Sequence, residues 1–129
     1  MAKQTRNQKS ARSEFQSQSN NIAQVLKIGK KHLQAGRLLE AKDIFRQVLE
    51  ADSKNPFALS MMGLVACLDG EKEIALDFMT EAITIKPDIP ESHENLGILL
   101  LKMEEINEAI NCFKRAIKIK PRFASAHYN

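Results

Sequence analysis

The sequence predicts an all-α protein, an α-solenoid of three stacked helix-turn-helix units plus the start of a fourth. All five glycines fall on one 34-residue spacing, in two registers: Gly29, Gly63 and Gly97, and then Gly36 and Gly70. Small, aromatic and proline residues follow the same period, at Ala41, Ala75 and Ala109; Phe45, Met79 and Phe113; Val48, Ala82 and Ala116; and Ser53, Pro87 and Pro121. A period of 34 residues is typical of stacked helical hairpins.

The period divides the chain into units at 22–55, 56–89 and 90–123, with 124–129 opening a fourth. In each unit, apolar or small side chains recur at i, i+3, i+4 and i+7, which marks one face of a helix. In the first helices these positions are Val25, Ile28, Gly29 and His32; Leu59, Met62, Gly63 and Ala66; and His93, Leu96, Gly97 and Leu100. We therefore expect each unit to fold as two antiparallel helices whose apolar stripes face each other.

The glycines of the two registers have different expected roles. A glycine inside a helix costs about 0.5–1 kcal/mol relative to alanine, so Gly63 and its two equivalents are expected where the helices of a unit cross closely. The predicted partners at these crossings are Ala41, Ala75 and Ala109. Gly36 and Gly70 stand where a first helix must end, a position that favours left-handed backbone. The third unit has Glu104 there, and its turn is expected to be reshaped or mildly strained.

Charge is distributed unevenly along the chain. The net charge of +3 resides in residues 1–20, which are rich in Gln, Ser and Asn and are expected to form a disordered basic tail. The repeat domain, 21–129, is neutral in sum, which argues against nucleic-acid binding because such proteins carry basic patches. The sequence shows neither a secretory leader nor an apolar run long enough for a membrane span. We therefore expect a cytoplasmic protein that does not bind membranes.

Catalytic motifs are missing from the sequence. Cys67 and Cys112 are 45 residues apart without a CxxC motif, and both are expected to be packing residues. His32, His93 and His127 occupy helix-packing positions. There is no HExxH motif, no Gly-rich phosphate loop and no nucleophile elbow. The sequence therefore predicts a chain that is not an enzyme and that binds no metal or cofactor.

The pattern Gly-x11-Ala-x3-Phe-x7-Pro, which runs from Gly97 to Pro121 and recurs with changes in the earlier units, resembles the tetratricopeptide repeat family. The resemblance covers residues 22–123. It departs from the family in lacking Trp or Tyr at the usual aromatic positions, and in having Ser53 at the first proline position. The resemblance implies a curved solenoid that binds a protein or peptide partner in a concave groove lined by the first helices.

The predicted groove residues lie beside the packing stripe of the first helices or, for the asparagine, at the slot discussed below. They are Leu26, Lys30, Leu33, Phe57, Ser60, Leu64, Cys67, Glu91, Glu94, Asn95, Ile98 and Leu101. For Phe57, Leu64, Ile98 and Leu101, burial by neighbouring units and exposure to a partner are both open. An apolar groove with an acidic end would suit a peptide that carries apolar anchors and some basic residues.

Asparagine and glutamate positions in the predicted groove can be compared with those of two kinds of family member. Asn95 and Asn129 occupy a slot at which the repeats of O-linked N-acetylglucosamine transferases carry asparagines that hold the peptide backbone. Lys27 and Met61 fill that slot in the earlier units, so the ladder is partial and a merely exposed polar residue is the alternative. Family members that clamp the C-terminal carboxylate of chaperone tails carry a cation where this chain has Glu91, which would repel a carboxylate. That activity is not expected.

The sequence is therefore compatible with three functions. The first is a protein-binding scaffold that docks a partner segment in the groove. The second is the substrate-recognition region of a larger transferase, because the segment 33–41 resembles the opening repeat of O-linked N-acetylglucosamine transferase-like proteins. The third is a homo-oligomer formed through an uncapped C-terminal end, with Phe123, Ala126 and Tyr128 as exposed anchors.

Overall fold

A computed structural model describes residues 21–121. The predicted basic tail, the partial fourth unit, and the predictions made for Phe123, Ala126, His127, Tyr128 and Asn129 lie outside the described residues. Within 21–121 the chain is helical and contains no strand. The helices are α1 at 21–34, α2 at Leu38–Ala51, α3 at Pro56–Leu68, α4 at Lys72–Ile85, α5 at Pro90–Lys102 and α6 at Ile106–Ile119.

Consecutive helices pair into three hairpins, α1 with α2, α3 with α4, and α5 with α6. Each hairpin also packs on the next through α2 against α3 and through α4 against α5, and the first helices α3 and α5 contact each other directly. The all-helical repeat array predicted from the 34-residue period is therefore confirmed. Its first helices lie side by side and form one wall.

The three helical glycines have equivalent surroundings, as the period predicts, but their closest neighbours differ from the prediction. A Cβ added at Gly29 would lie 2.6 Å from the Phe45 ring, and one added at Gly63 would lie 2.6 Å from Cγ of Met79. The alanine register is fully buried, and among the three atoms nearest to each such Cβ the alanines contribute the backbone oxygen of Ala75, at 3.2 Å from the Cβ at Gly63. The larger side chain four residues after each alanine reaches across the crossing, so the glycine makes room for a ring or thioether.

The turns inside the hairpins share one geometry. Gly36, Gly70 and Glu104 have φ values of +80°, +84° and +66°. In the third turn, Glu105 N donates to Leu100 O at 2.8 Å, and the other two turns contain the equivalent bond at 2.9 and 2.8 Å. The third turn is therefore strained rather than reshaped, because a side chain occupies a left-handed conformation that favours glycine.

The junctions between hairpins use different devices. Asn55 caps α3 by accepting a hydrogen bond from Ala58 N at 3.0 Å, and Pro56 begins the helix. Pro90 begins α5, whose N-cap, Ile89, provides no side-chain bond. Here His93 crosses the junction instead, since its Nε2–H donates to Pro87 O at 2.7 Å.

Two apolar clusters hold the hairpins together. The first joins Phe45 of α2 to Met62 and Val65 of α3, and the second joins Met79 of α4 to Leu99 of α5. Phe45, Met79 and Leu99 are almost completely buried. Because each cluster crosses from one hairpin to the next, burial of apolar surface stabilises the stack as well as its individual hairpins.

Candidate functional site

A continuous groove runs along the wall formed by α1, α3 and α5. One part is a cavity of about 270 Å³ between the middle of α1, the first turns of α3 and the start of α5. A second part, of about 500 Å³, adjoins it toward the C-terminal ends of α1 and α3. Lys30, Met61 and Glu91 line both parts. Each comes from a different first helix, so the groove depends on the stacking of all three hairpins.

The structure brings nine of the twelve predicted groove residues together along these two cavities. They are Leu26, Lys30, Leu33, Phe57, Ser60, Leu64, Glu91, Glu94 and Asn95. Cys67 instead lies in the second apolar cluster and is 3% exposed. Ile98 and Leu101 line neither cavity. They stand 34 residues after Leu64 and Cys67, at the same face of α5.

Apolar groups form much of the groove surface. Phe57 is 47% exposed although it stands in the first turn of α3, and the ammonium of Lys86 lies 5.9 Å from the centre of its ring. Leu26, Met61 and Leu64 are half-buried beside it. A half-exposed aromatic ring in a concave site is a typical anchor for a bound segment because it provides a large, rigid contact area.

Polar side chains lie in the floor between α3 and α5. Asn95 Nδ2 donates to Ser60 Oγ at 3.4 Å, and both residues are buried, at 8% and 3% exposure. One amide hydrogen of Asn95 is therefore already used in joining two first helices. The asparagine lies at the groove, as predicted, while the equivalent position in α3 is the apolar Met61.

The two walls of the groove carry opposite charge. Lys27 and Lys30 project from α1 on one side, whereas Glu91 and Glu94 stand on α5 on the other. Lys30 and Glu91 are both among the residues that the structure describes, and they form no ion pair with each other, whereas Lys54 and Glu81 form one outside the groove. The groove is thus basic along one wall, acidic along the other and apolar between them.

Some groove residues were not predicted from the sequence. Ile89 and Ser92 line the first cavity, although Ile89 precedes α5 and is 7% exposed. Gln34 and Leu68, at the ends of their helices, line the second. The junction before α5 contributes to the groove because it passes beside Phe57, a tertiary relationship that helical periodicity does not encode.

Two features of the described residues bear on metal and thiol chemistry. Residues 21–121 contain no cluster of three or more His, Cys, Asp or Glu side chains that could hold a metal ion. Burial raises the pKa of the Cys112 thiol, Arg115 partly offsets this, and Glu108 adds to it. A raised thiol pKa is the opposite of what a nucleophilic cysteine needs. In the same stretch, every helix is too short or too polar to cross a bilayer.

The sequence is similar to known repeat proteins. Residues 90–123 match the tetratricopeptide repeat family. The chain is 32% identical over 101 residues to DnaJ homolog subfamily C member 3 of Mus musculus, a match that covers 78% of this chain and 20% of that protein. The chain therefore spans about a fifth of the length of this relative.

Solved structures share the fold. The O-GlcNAc transferase of Thermobaculum terrenum superposes with a TM-score of 0.78 at 23% identity, covering 85% of this chain and 21% of that one. The first repeat domain of Spaghetti (RPAP3), bound to the HSP90 peptide SRMEEVD, superposes with a TM-score of 0.69 at 17% identity, covering 80% and 82% of the two chains. Residues 90–123 are thus a tetratricopeptide repeat, and the three equivalent hairpins of the chain share the all-helical repeat fold of these neighbours.

Proposed function

We propose that this chain is a protein-interaction scaffold that docks an extended or helical segment of a partner in the groove along α1, α3 and α5. The observation that carries the proposal is the sharing of Lys30, Met61 and Glu91 by the two adjoining cavities. It makes the groove continuous across three hairpins, so one segment would contact all of them. The repeat domain of Spaghetti (RPAP3), which has the same fold, binds a peptide.

The charges of the groove define the partner segment. An acidic residue would face Lys27 and Lys30 on α1, a basic residue would face Glu91 on α5, and an apolar or aromatic residue between them would pack on Phe57 and Met61. Electrostatic complementarity of this kind contributes mainly to orientation and specificity, whereas burial of the apolar anchor provides most of the affinity.

A selection from a random peptide library on the full chain tests the proposal. We expect enriched peptides to carry the acidic–apolar–basic pattern. Phe57→Ala should weaken their binding about 10- to 100-fold, because it removes the exposed aromatic surface. Ile74→Ala is the matched control, since Ile74 is 48% exposed against 47% for Phe57 but lies on the second helix α4. If the two variants bind alike, the groove is not the docking site.

The HSP90 peptide SRMEEVD provides a separate specificity test. If its C-terminal carboxylate were held as in the family members that clamp chaperone tails, it would lie against Glu91, which lines both cavities. We therefore expect binding of this peptide to be at least about tenfold weaker than binding of the selected peptides. Glu91→Lys should narrow that difference. Tight binding of SRMEEVD by the unmodified chain would contradict the repulsion of its C-terminal carboxylate by Glu91.

A second function is favoured by the superposition on the Thermobaculum terrenum O-GlcNAc transferase. In this alternative the groove presents protein substrates to a catalytic region elsewhere in a larger transferase. The reading frame of the gene distinguishes the interaction scaffold from the substrate-recognition region of a transferase. A continuation into a glycosyltransferase domain would support the alternative, and a stop codon after Asn129 would contradict it. We place either protein in the cytoplasm, which fractionation with an antibody to this chain would test.

A further inference from the structure

Two serine side chains lie at the base of the first cavity of the groove, the part of about 270 Å³. Ser60 of α3 and Ser92 of α5 both line this cavity, although they are only 3% and 2% exposed. Lys27 and Lys30, which line the same cavity, are exposed. The cavity therefore carries charged groups at its mouth and hydroxyl groups at its base.

The hydroxyl group of Ser60 is only half satisfied. Its oxygen accepts a hydrogen bond from Asn95 Nδ2 at 3.4 Å, whereas its proton has no acceptor among residues 21–121. In the same stretch, the hydroxyl of Ser92 has no hydrogen-bond partner. Water can satisfy such groups while the cavity is open, but an occupant that displaces the water has to replace its hydrogen bonds.

The size and the walls of the first cavity define its occupant. A volume of about 270 Å³ lies below the roughly 300–1,000 Å³ of small-molecule sites, so the cavity suits a single side chain. Leu26, Phe57, Met61 and Ile89 provide apolar walls. The occupant therefore needs an apolar body that covers these walls, and a polar tip that accepts a hydrogen bond from Ser60.

We infer that the first cavity takes a tyrosine side chain of the partner segment, an inference that rests on the docking proposed above. The ring would pack on Phe57 and Met61. The phenol oxygen would accept the proton of Ser60, and its own proton would be donated to the oxygen of Ser92. Tyrosine thus combines the apolar body and the polar tip that this cavity requires.

Other side chains meet one requirement and fail the other. Leucine and phenylalanine would cover the walls but leave the hydroxyl of Ser60 buried without an acceptor. The indole of tryptophan is a donor only, so it does not supply that acceptor. A carboxylate would supply it, but its charge would lie against the apolar walls and near Glu91, which lines the same cavity. Serine and threonine are too short to cover Phe57.

Titration calorimetry of the full chain with peptides that differ only at the anchor position tests the inference. The peptides come from the library selection described above and carry tyrosine or phenylalanine at that position. We expect the tyrosine peptide to bind about tenfold more tightly, because phenylalanine displaces water from Ser60 without replacing its hydrogen bond. Tyrosine should also be the residue most enriched at that position in the selection.

Ser60→Ala should reduce the preference for tyrosine to about twofold or less. Affinity for the phenylalanine peptide should stay the same or rise, since alanine has no hydroxyl to leave unpaired. Ser53→Ala is the matched control, because Ser53 is exposed and lines neither cavity, and it should keep the full preference. Circular dichroism checks that each variant keeps its helices, and Ser92→Ala, which should also lower the preference, replaces Ser60→Ala if the latter unfolds.

Failure of the inference and failure of the docking proposal have different signatures. Equal affinities of the two peptides for the unmodified chain would overturn the tyrosine site, while weakening of both by Phe57→Ala would leave the docking intact. A preference that survives in Ser60→Ala would also overturn the site, and so would tighter binding of a phosphotyrosine peptide, which would assign the cavity to its lysines. If Phe57→Ala and Ile74→Ala bind both peptides alike, the docking proposal fails and the tyrosine site fails with it.

Discussion

The second and third hairpins follow one backbone plan with different residues. Gly70 and Glu104 occupy equivalent turns with φ of +84° and +66°, although only glycine adopts this conformation without strain. The equivalent hydrogen bonds that close the two turns, to Ala66 O and Leu100 O, are both 2.8 Å long. The comparison shows that packing between the helices fixes the turn, and that an unsuited residue is forced to follow.

The helix crossings of the same hairpins differ in the freedom of the residue opposite the glycine. Met79, opposite Gly63, is 1% exposed. Phe113, opposite Gly97, is only half-buried. The third hairpin is therefore the looser of the two at its crossing, because its large side chain has space to move outward.

Gly63→Leu should cause the largest change in stability. The new side chain would meet Met79 Cγ and the Ala75 backbone oxygen, neither of which has space to withdraw, so we expect a loss of about 2–3 kcal/mol. Gly97→Leu should cost about 1 kcal/mol less, since Phe113 is free to swing outward. Urea unfolding measures both. Equal losses would show that the two crossings are equally rigid.

Gly70→Ala should be the next largest effect. No atom lies within 4 Å of a Cβ at this position, so the change probes backbone conformation alone. We expect a loss of about 1–2 kcal/mol from the left-handed conformation. Thermal unfolding would detect it as a lower melting temperature, and an unchanged melting temperature would mean that the turn rearranges.

Glu104→Gly should have the opposite sign. It would relieve strain at φ +66°, and we expect a gain of about 0.5–1 kcal/mol after the greater flexibility of glycine in the unfolded chain is subtracted. Glu105→Gly, one residue later, is the control and should not stabilise. A destabilised Glu104→Gly variant would contradict the assignment of strain to this turn.

Asn55→Ala should remove a cap that the third hairpin lacks. Asn55 Oδ1 accepts from Ala58 N at 3.0 Å, while Ile89 provides no such bond to α5. We expect a loss of about 1 kcal/mol, and Asn55→Ser should recover most of it. Equal unfolding midpoints for Asn55→Ala and the unmodified chain would show that the cap is dispensable.

The smallest expected effect concerns the rate at which the Cys112 thiol is alkylated. Because burial raises its pKa, a smaller fraction is thiolate near neutral pH than in a free cysteine, and alkylation should be correspondingly slow. Its rate should rise as the pH approaches and passes the raised pKa. Arg115→Ala should slow labelling further, since the cation that favours the thiolate is removed. Faster labelling of that variant would contradict the stated cause.

Much of the fold could be predicted because the residue types that determine it recur every 34 residues. The hairpins, the left-handed turns and the Asn55 cap all follow from residue types at fixed spacing. The alanines are buried, as the prediction of close crossings requires, but the side chains nearest the glycines are the larger ones four residues later, because spacing locates a crossing and does not show which side chain reaches across it. The strain at Glu104 was one of two alternatives that only the backbone could resolve.

The groove could be predicted less completely for a related reason. The first-helix wall was predicted and nine residues line it, but Cys67 faces the neighbouring hairpin. Cys67 follows Leu64 by three residues, so an offset of roughly 60° around the helix separates wall from core, and the angle between hairpins decides the boundary. Ile89 enters the groove from a junction, where helical periodicity carries no information.

Charge reversal across the groove tests the central claim most directly. In the double variant Lys30→Glu, Glu91→Lys the charges at the two positions that line both cavities exchange sign, while the apolar surface of Phe57 and Met61 stays intact. We expect a peptide selected on the unmodified chain to lose about tenfold or more in affinity for this variant, and a peptide with its acidic and basic residues exchanged to gain by a similar factor. Titration calorimetry measures all four pairs. Equal affinities across the four would contradict docking between these walls.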